Sequence, residues 1–175
     1  MKLKFLRFKR LDFGWDIKYD AVFWDIENDK KVCLNRTELL KVVNLKYNFI
    51  YEIERHKDFF YPIKVIVPNG IEYLIKFNKI WKHIGNEYMF INTNPINRNE
   101  RFTFQVIVSD KVILTLHTEH LNVKSAWNSF REYWIKDPEI LPYKKFMKVK
   151  IKNKLNETIE EHQYQTKCFV KTFKK

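Results

Sequence analysis

The chain is short of the residues from which compact catalytic motifs are built. Its three glycines, Gly14, Gly70 and Gly85, stand alone, which excludes a glycine-rich phosphate loop. Nucleophile-elbow and kinase signatures are absent as well. The two cysteines, Cys33 and Cys168, lie far apart, so neither a disulfide framework nor a cysteine-based zinc motif is indicated and a reducing compartment is expected. No apolar run approaches the roughly 18 residues of a membrane span. The N-terminus lacks the long apolar core and small-residue cleavage site of a secretory signal. The expectation is a soluble intracellular protein with no membrane partner.

Alanine occurs twice, whereas Lys, Ile, Asn, Phe and Tyr make up 83 of 175 residues. Their codons are AT-rich. Such a bias points to drift in an AT-rich genome, that of an organelle, a phage or a reduced bacterium, and drift of this kind wears away glycine-based motifs.

What remains is ample for a folded core, with 45% hydrophobic and 17% aromatic residues. Formal charge is +12, and its placement is informative. Residues 1 to 10 contribute +5, residues 144 to 175 contribute +7, and residues 11 to 143 are balanced. A neutral body with two cationic ends suits phosphate binding, because each neutralised phosphate releases condensed counterions. Basic ends that serve only solubility are the bland alternative.

Periodicity predicts strands over 2–8, 19–26 and 30–34, with a turn at Glu27-Asn28-Asp29-Lys30. A helix is expected next, capped by Asn35 with Glu38 three residues on. In it Leu39, Leu40, Val43, Tyr47 and Ile50 recur at helical spacing towards Lys57. Pro62 and Pro68-Asn69-Gly70 punctuate further strands near 63–67, 71–77 and 87–92. Phe102, Phe104, Val106 and Val108 alternate before the turn Ser109-Asp110-Lys111, and 112–116 returns as the second arm of a hairpin. Asn122 caps a second helix whose Val123, Ala126, Trp127, Phe130 and Trp134 form one apolar stripe, and Asp137-Pro138 stops it. Over 146–152 apolar and basic residues alternate, a strand with one cationic face that would suit a phosphate-facing edge.

Acid/base and metal chemistry find little support. His117-Thr-Glu-His120 places two histidines three apart at a strand end, whereas the metalloprotease pattern needs them four apart on a helix. The acids between Asp12 and Asp29 read as solvated faces rather than a two-metal site. Trp127 and Phe130 read as core. Tyr143, between Pro142 and Lys144-Lys145, is the aromatic assigned to a binding surface.

From Tyr88 to about residue 150 the order of features resembles the C-terminal half of the bacterial-type large-subunit ribosomal protein six family. The residues that carry this are Tyr88 to Pro95, the hairpin Val106 to Leu116 with Ser109 and Lys111 in its turn, and the helix from Val123. The run Pro138-Glu-Ile-Leu-Pro-Tyr-Lys-Lys145 then leads into Phe146 to Ile151. Lys145 and Met147 stand where that family's loop has glycines, in keeping with the scarcity of glycine throughout. The match covers about a third of the chain.

The resemblance implies an α+β fold of two small tandem domains, each of antiparallel strands packed on one helix. The limits expected are 1–60 and 61–152, with a basic C-terminal extension over 153–175. It further implies a structural role on large-subunit ribosomal RNA beside neighbouring ribosomal proteins, with no cofactor, no metal and no small-molecule substrate. Codon bias adds an organellar, mitochondrial ribosome. Tyr143, Lys144 and Lys145 carry over as RNA contacts by motif position. The charge argument adds Lys148, Lys150 and Lys152, and also Lys2, Lys4, Arg7, Lys9 and Arg10. Two other classes compete: a phage or mobile-element protein that inhibits a host nucleoprotein or defence complex through an apolar patch, and a magnesium-dependent nuclease built on Asp12 to Asp29.

Overall fold

A computed structural model describes residues 1–35, 45–92 and 98–175. They divide into two compact units, Met1–Lys82 and His83–Lys175.

The first unit contains β1 (Lys2–Asp12), β2 (Ile17–Asp25), β3 (Lys30–Asn35), β4 (Ile50–His56), β5 (Phe59–Ile66) and β6 (Glu72–Lys76). The seventh strand, β7 (Lys79–Ile84), runs across its limit. The lateral order is β7-β6-β5-β4-β1-β2-β3, so the basic N-terminal segment is an interior strand between β4 and β2. Leu3, Phe5, Phe23, Tyr51, Ile53 and Val65 are buried in the core. Turn chemistry sets the corners. Asp25 accepts hydrogen bonds from the backbone N–H groups of Glu27 and Asn28, both at 3.1 Å, and from Asn28 Nδ2 at 2.8 Å. This leaves Asp29 to take the left-handed conformation. Phe77 and Asn78, both with positive φ, make the two-residue turn between β6 and β7.

The second unit contains β8 (Glu87–Phe90), β9 (Glu100–Val108), β10 (Lys111–His120), α1 (Val123–Tyr133), β11 (Lys148–Lys152), β12 (Thr158–Gln165) and β13 (Cys168–Lys174). Two 3-10 turns, Trp134–Lys136 and Leu141–Phe146, lie between α1 and β11. The order is β13-β12-β11-β9-β10-β8. Among the described residues of this unit, β8 pairs with β10 in parallel and the other neighbours pair antiparallel.

The β9–β10 hairpin turns at Ser109 and Asp110, both at positive φ, as its sequence predicts. Asn122 Oδ1 accepts from the Ser125 backbone N–H at 2.9 Å and Ser125 Oγ accepts from Asn122 N at 3.3 Å. The capping box therefore closes on a serine. The apolar stripe of α1 packs on one sheet face: Phe130 stacks on Phe104 with centroids 4.9 Å apart, and Trp127 on His162 at 3.7 Å. Met147, Val149 and Ile151 are fully buried on that side.

The expected fold class is corrected. Strand accounts for 59% and helix for 12% of the described residues, and α1 is the one α-helix among them. A pair of domains each packed on its own helix is therefore not what forms. The expected first helix lies partly at 36–44, outside the described residues, and its distal part is β4. There Tyr51 and Ile53 are buried while Glu54 is exposed, a period of two that suits a half-buried strand. Residues 153–175, expected as an extension, form β12 and β13. Their charges occupy solvent-facing positions while Glu160 and His162 turn inward.

Candidate nucleic-acid interface

In β1 the cations do not alternate cleanly by number, since Lys2 and Lys4 are even and Arg7 and Lys9 are odd. A regular strand would send the two pairs to opposite faces. The register shifts between Phe5 and Arg7: Lys4 lies opposite Trp24, Phe5 opposite Phe23, Arg7 opposite Val22, Phe8 opposite Ala21 and Lys9 opposite Asp20. Leu6 is thus the extra residue of a β-bulge, and the bulge inverts the parity of everything after it. Lys2, Lys4, Arg7 and Lys9 come to share one face. Phe8 joins Phe5 on the other, with ring centroids 5.0 Å apart. Arg10 falls on the phenylalanine face, and its Nη2 is 3.4 Å from Asp12 Oδ2.

In the second unit the expected segment 143–152 is divided between two faces. β11 is not an edge, for it pairs with β9 on one side and β12 on the other. Val149 and Ile151 face α1, which leaves Lys148, Lys150 and Lys152 on the open face, opposite Gln163, Glu161 and Thr158 of β12. Lys150 Nζ is 3.6 Å from Glu161 Oε1. Tyr143, Lys144 and Lys145 belong to the second 3-10 turn, and Lys144 Nζ lies 5.6 Å from the centroid of the Tyr164 ring. Tyr164 follows Glu160 and His162 in parity, so Lys144 is on the helix-bearing side. Tyr143 is 45% exposed.

Lys144 borders a cavity of about 250 Å³ to which Arg131, Lys136, Tyr164, Lys167 and Phe169 also contribute. These residues come from α1, both 3-10 turns and the β12–β13 hairpin. Beneath the helix, His162 Nε2 donates to Glu160 Oε2 at 2.8 Å, and Lys171 Nζ is 3.0 Å from Glu160 Oε1. Burial pushes the Glu160 carboxyl up, but the bonds from His162 and Lys171 outweigh it and hold the group below its ordinary value. Burial lowers the His162 imidazole. The pull of Glu160 does not reverse this, because Lys171 already compensates that carboxylate and Arg131 adds repulsion.

The other polar clusters have structural partners. His117 Nε2 donates to Glu87 Oε1 at 2.6 Å and its Nδ1 meets Thr103 Oγ1 at 3.0 Å, a chain laid flat across β8, β9 and β10. Asp12 accepts from the Gly14 N–H at 2.9 Å and Asp25 is the turn acceptor described above. Among the described residues no three His, Cys, Asp or Glu side chains are grouped to hold a metal ion.

Reading by charge run missed Arg131, Lys136, Lys167, Tyr164 and Phe169. They are scattered over 39 positions of sequence, and only the return of β12 and β13 to the sheet brings them beside Lys144. The signal present was the pairing of aromatic and basic residues in 164–171. No protein-family model, characterised protein or solved structure matches the chain.

Proposed function

We propose that this protein is a structural RNA-binding protein without catalytic activity, of the kind that holds large-subunit ribosomal RNA in an organelle beside other ribosomal proteins. The observation that carries the reading is the state of the candidate cations. Of the ten nominated from the sequence, Arg10 and Lys150 have carboxylate partners. Among the described residues Lys2, Lys4, Arg7, Lys9, Lys144, Lys145, Lys148 and Lys152 have none within 4.0 Å. Phosphates therefore meet charges that no internal pair has already satisfied, and the β1 bulge and the alternation of β11 present them in rows.

The test is titration of the purified protein with a fluorescent RNA hairpin and a single strand, repeated from low to high salt. Affinity should fall linearly on a log–log plot, and K148E/K152E and K2E/K4E should each weaken binding to every RNA sequence alike. Salt-independent binding, or none, overturns the reading. Sedimentation of the endogenous protein with large ribosomal subunits, lost on RNase treatment, would establish the ribosomal part.

One observation favours a docking protein instead. At the β1–β2 hairpin Phe13 and Trp15 are exposed, Trp15 at 85%, with Ile17 and Tyr19 exposed just beyond. An inhibitor of a host complex would use such a patch, and its complex with one host protein should survive high salt.

A further inference from the structure

The cavity beside Lys144 is bordered by Arg131, Lys136 and Lys167 as well, and no acidic side chain lines it. Among the described residues none of these four cations has a carboxylate within 4.0 Å. The Arg131 guanidinium is fixed from two sides: Nη2 donates to Asn128 Oδ1 at 3.1 Å, and the group lies 5.9 Å from the Trp127 ring centroid. The apolar wall is aromatic, with Tyr164 and Phe169 meeting edge to face at 5.3 Å and Phe169 braced against Trp127 at 5.6 Å. Four cations next to an aromatic wall match a ligand that is both anionic and a flat ring. At about 250 Å³ the volume lies just below that of ligand sites for drug-sized molecules, which run from roughly 300 Å³ upwards. It admits one such unit rather than a length of chain.

We infer that this cavity is a binding site for a single nucleoside monophosphate unit, its base set against the aromatic wall that Tyr164 and Phe169 form and its phosphate held by Lys136, Lys144, Lys167 and Arg131. The inference deepens the RNA-binding reading and rests on it for the source of the nucleotide, which is an unpaired residue of a bound strand. A free nucleotide offers the same chemistry. Stacking supplies sequence-tolerant affinity and the guanidinium and ammonium groups supply charge-assisted bonds to phosphate oxygens.

Cys168 provides the readout, since it is exposed and borders the cavity, while exposed Cys33 of the first unit serves as an internal control. Alkylation of both thiols in the full chain is followed by peptide mass spectrometry with UMP, uridine, inorganic phosphate or a short single-stranded RNA present. UMP should slow Cys168 saturably and leave Cys33 unchanged, with uridine or phosphate weaker by about tenfold or more. Y164A and K136Q should each raise the UMP concentration for half-protection by about tenfold. An unchanged Cys168 rate with every probe overturns the site, and if RNA still binds with salt sensitivity the RNA reading stands without it. Protection by UMP with no RNA binding reverses that result, leaving a free-nucleotide site and removing the RNA reading. Protection by both identifies the strand as the source.

Discussion

At the scale of single residues, the group with the most at stake is the Glu160–His162 pair under α1. Both side chains are at most 5% exposed, and each is held below its ordinary pKa in the fold. A lowered folded value means the unfolded chain binds the proton more readily, so the stabilisation is present above the unfolded pKa and is lost as pH falls. His162 should therefore begin to cost stability as pH drops below its ordinary 6.5, and Glu160 below 4.5. Thermal melting followed from pH 8 to about pH 2 should show a decline in two stages, and H162Q should remove the upper one. A flat profile between pH 7 and pH 5 would contradict the assignment of His162 as a neutral buried ring. Tyr88 is a second such residue: burial and then the hydrogen bond to Glu139 at 3.0 Å push its phenol well up, so it stays neutral.

At the scale of elements, two local devices have separable consequences. The Asn122–Ser125 capping box satisfies orphan donors at the start of α1, and N122A should lower stability by about 1 kcal/mol in chemical denaturation without altering RNA affinity. The β1 bulge works differently. Between Leu3 and Asp12, Leu6 is the one residue with no partner in β2, so removing it restores strict alternation while Arg7 and Lys9 keep their partners Val22 and Asp20, stay on the face of Lys2 and Lys4, and leave Phe8 beside Phe5. The expected result of the deletion is therefore an unchanged slope of RNA affinity against salt. L6A, which keeps the bulge, should show the same slope. A slope that falls on deletion but not in L6A would mean that the register at Leu6 does not set the cationic face in this way.

At the scale of the whole molecule, basic surface is distributed over both units, and on the proposed reading each would neutralise phosphates of its own. The slope of log affinity against log salt should therefore fall in K2E/K4E and again in K148E/K152E, each by about 0.7 for every single-strand phosphate that is no longer neutralised. Measured by anisotropy at four or more salt concentrations, unchanged slopes with both variants would remove phosphate from the interface. The pocket variants Y164A and K136Q separate from these, because Y164A should weaken binding with little change in slope whereas K136Q should change both.

Much of this was legible in the chain alone, where the physics is local. The β9–β10 hairpin and α1 with its Asn122 cap follow from alternation, helical spacing and turn residues that act within a few positions. The cationic ends likewise follow from composition. What local pattern could not decide was whether Ile50 continued a helix, since Tyr47 and Ile50 satisfy helical spacing while Tyr51 and Ile53 satisfy a strand; pairing of β4 with β1 and β5 settles it. Nor could charge runs tell a tail from a strand, because half of β12 and β13 faces solvent and reads as polar. Composition and local pattern make the protein cationic at both ends and rich in aromatic core residues. Which cations share a face depends on a one-residue register shift at Leu6, and which aromatics and lysines meet around Lys144 depends on strand pairings that join positions distant in the chain.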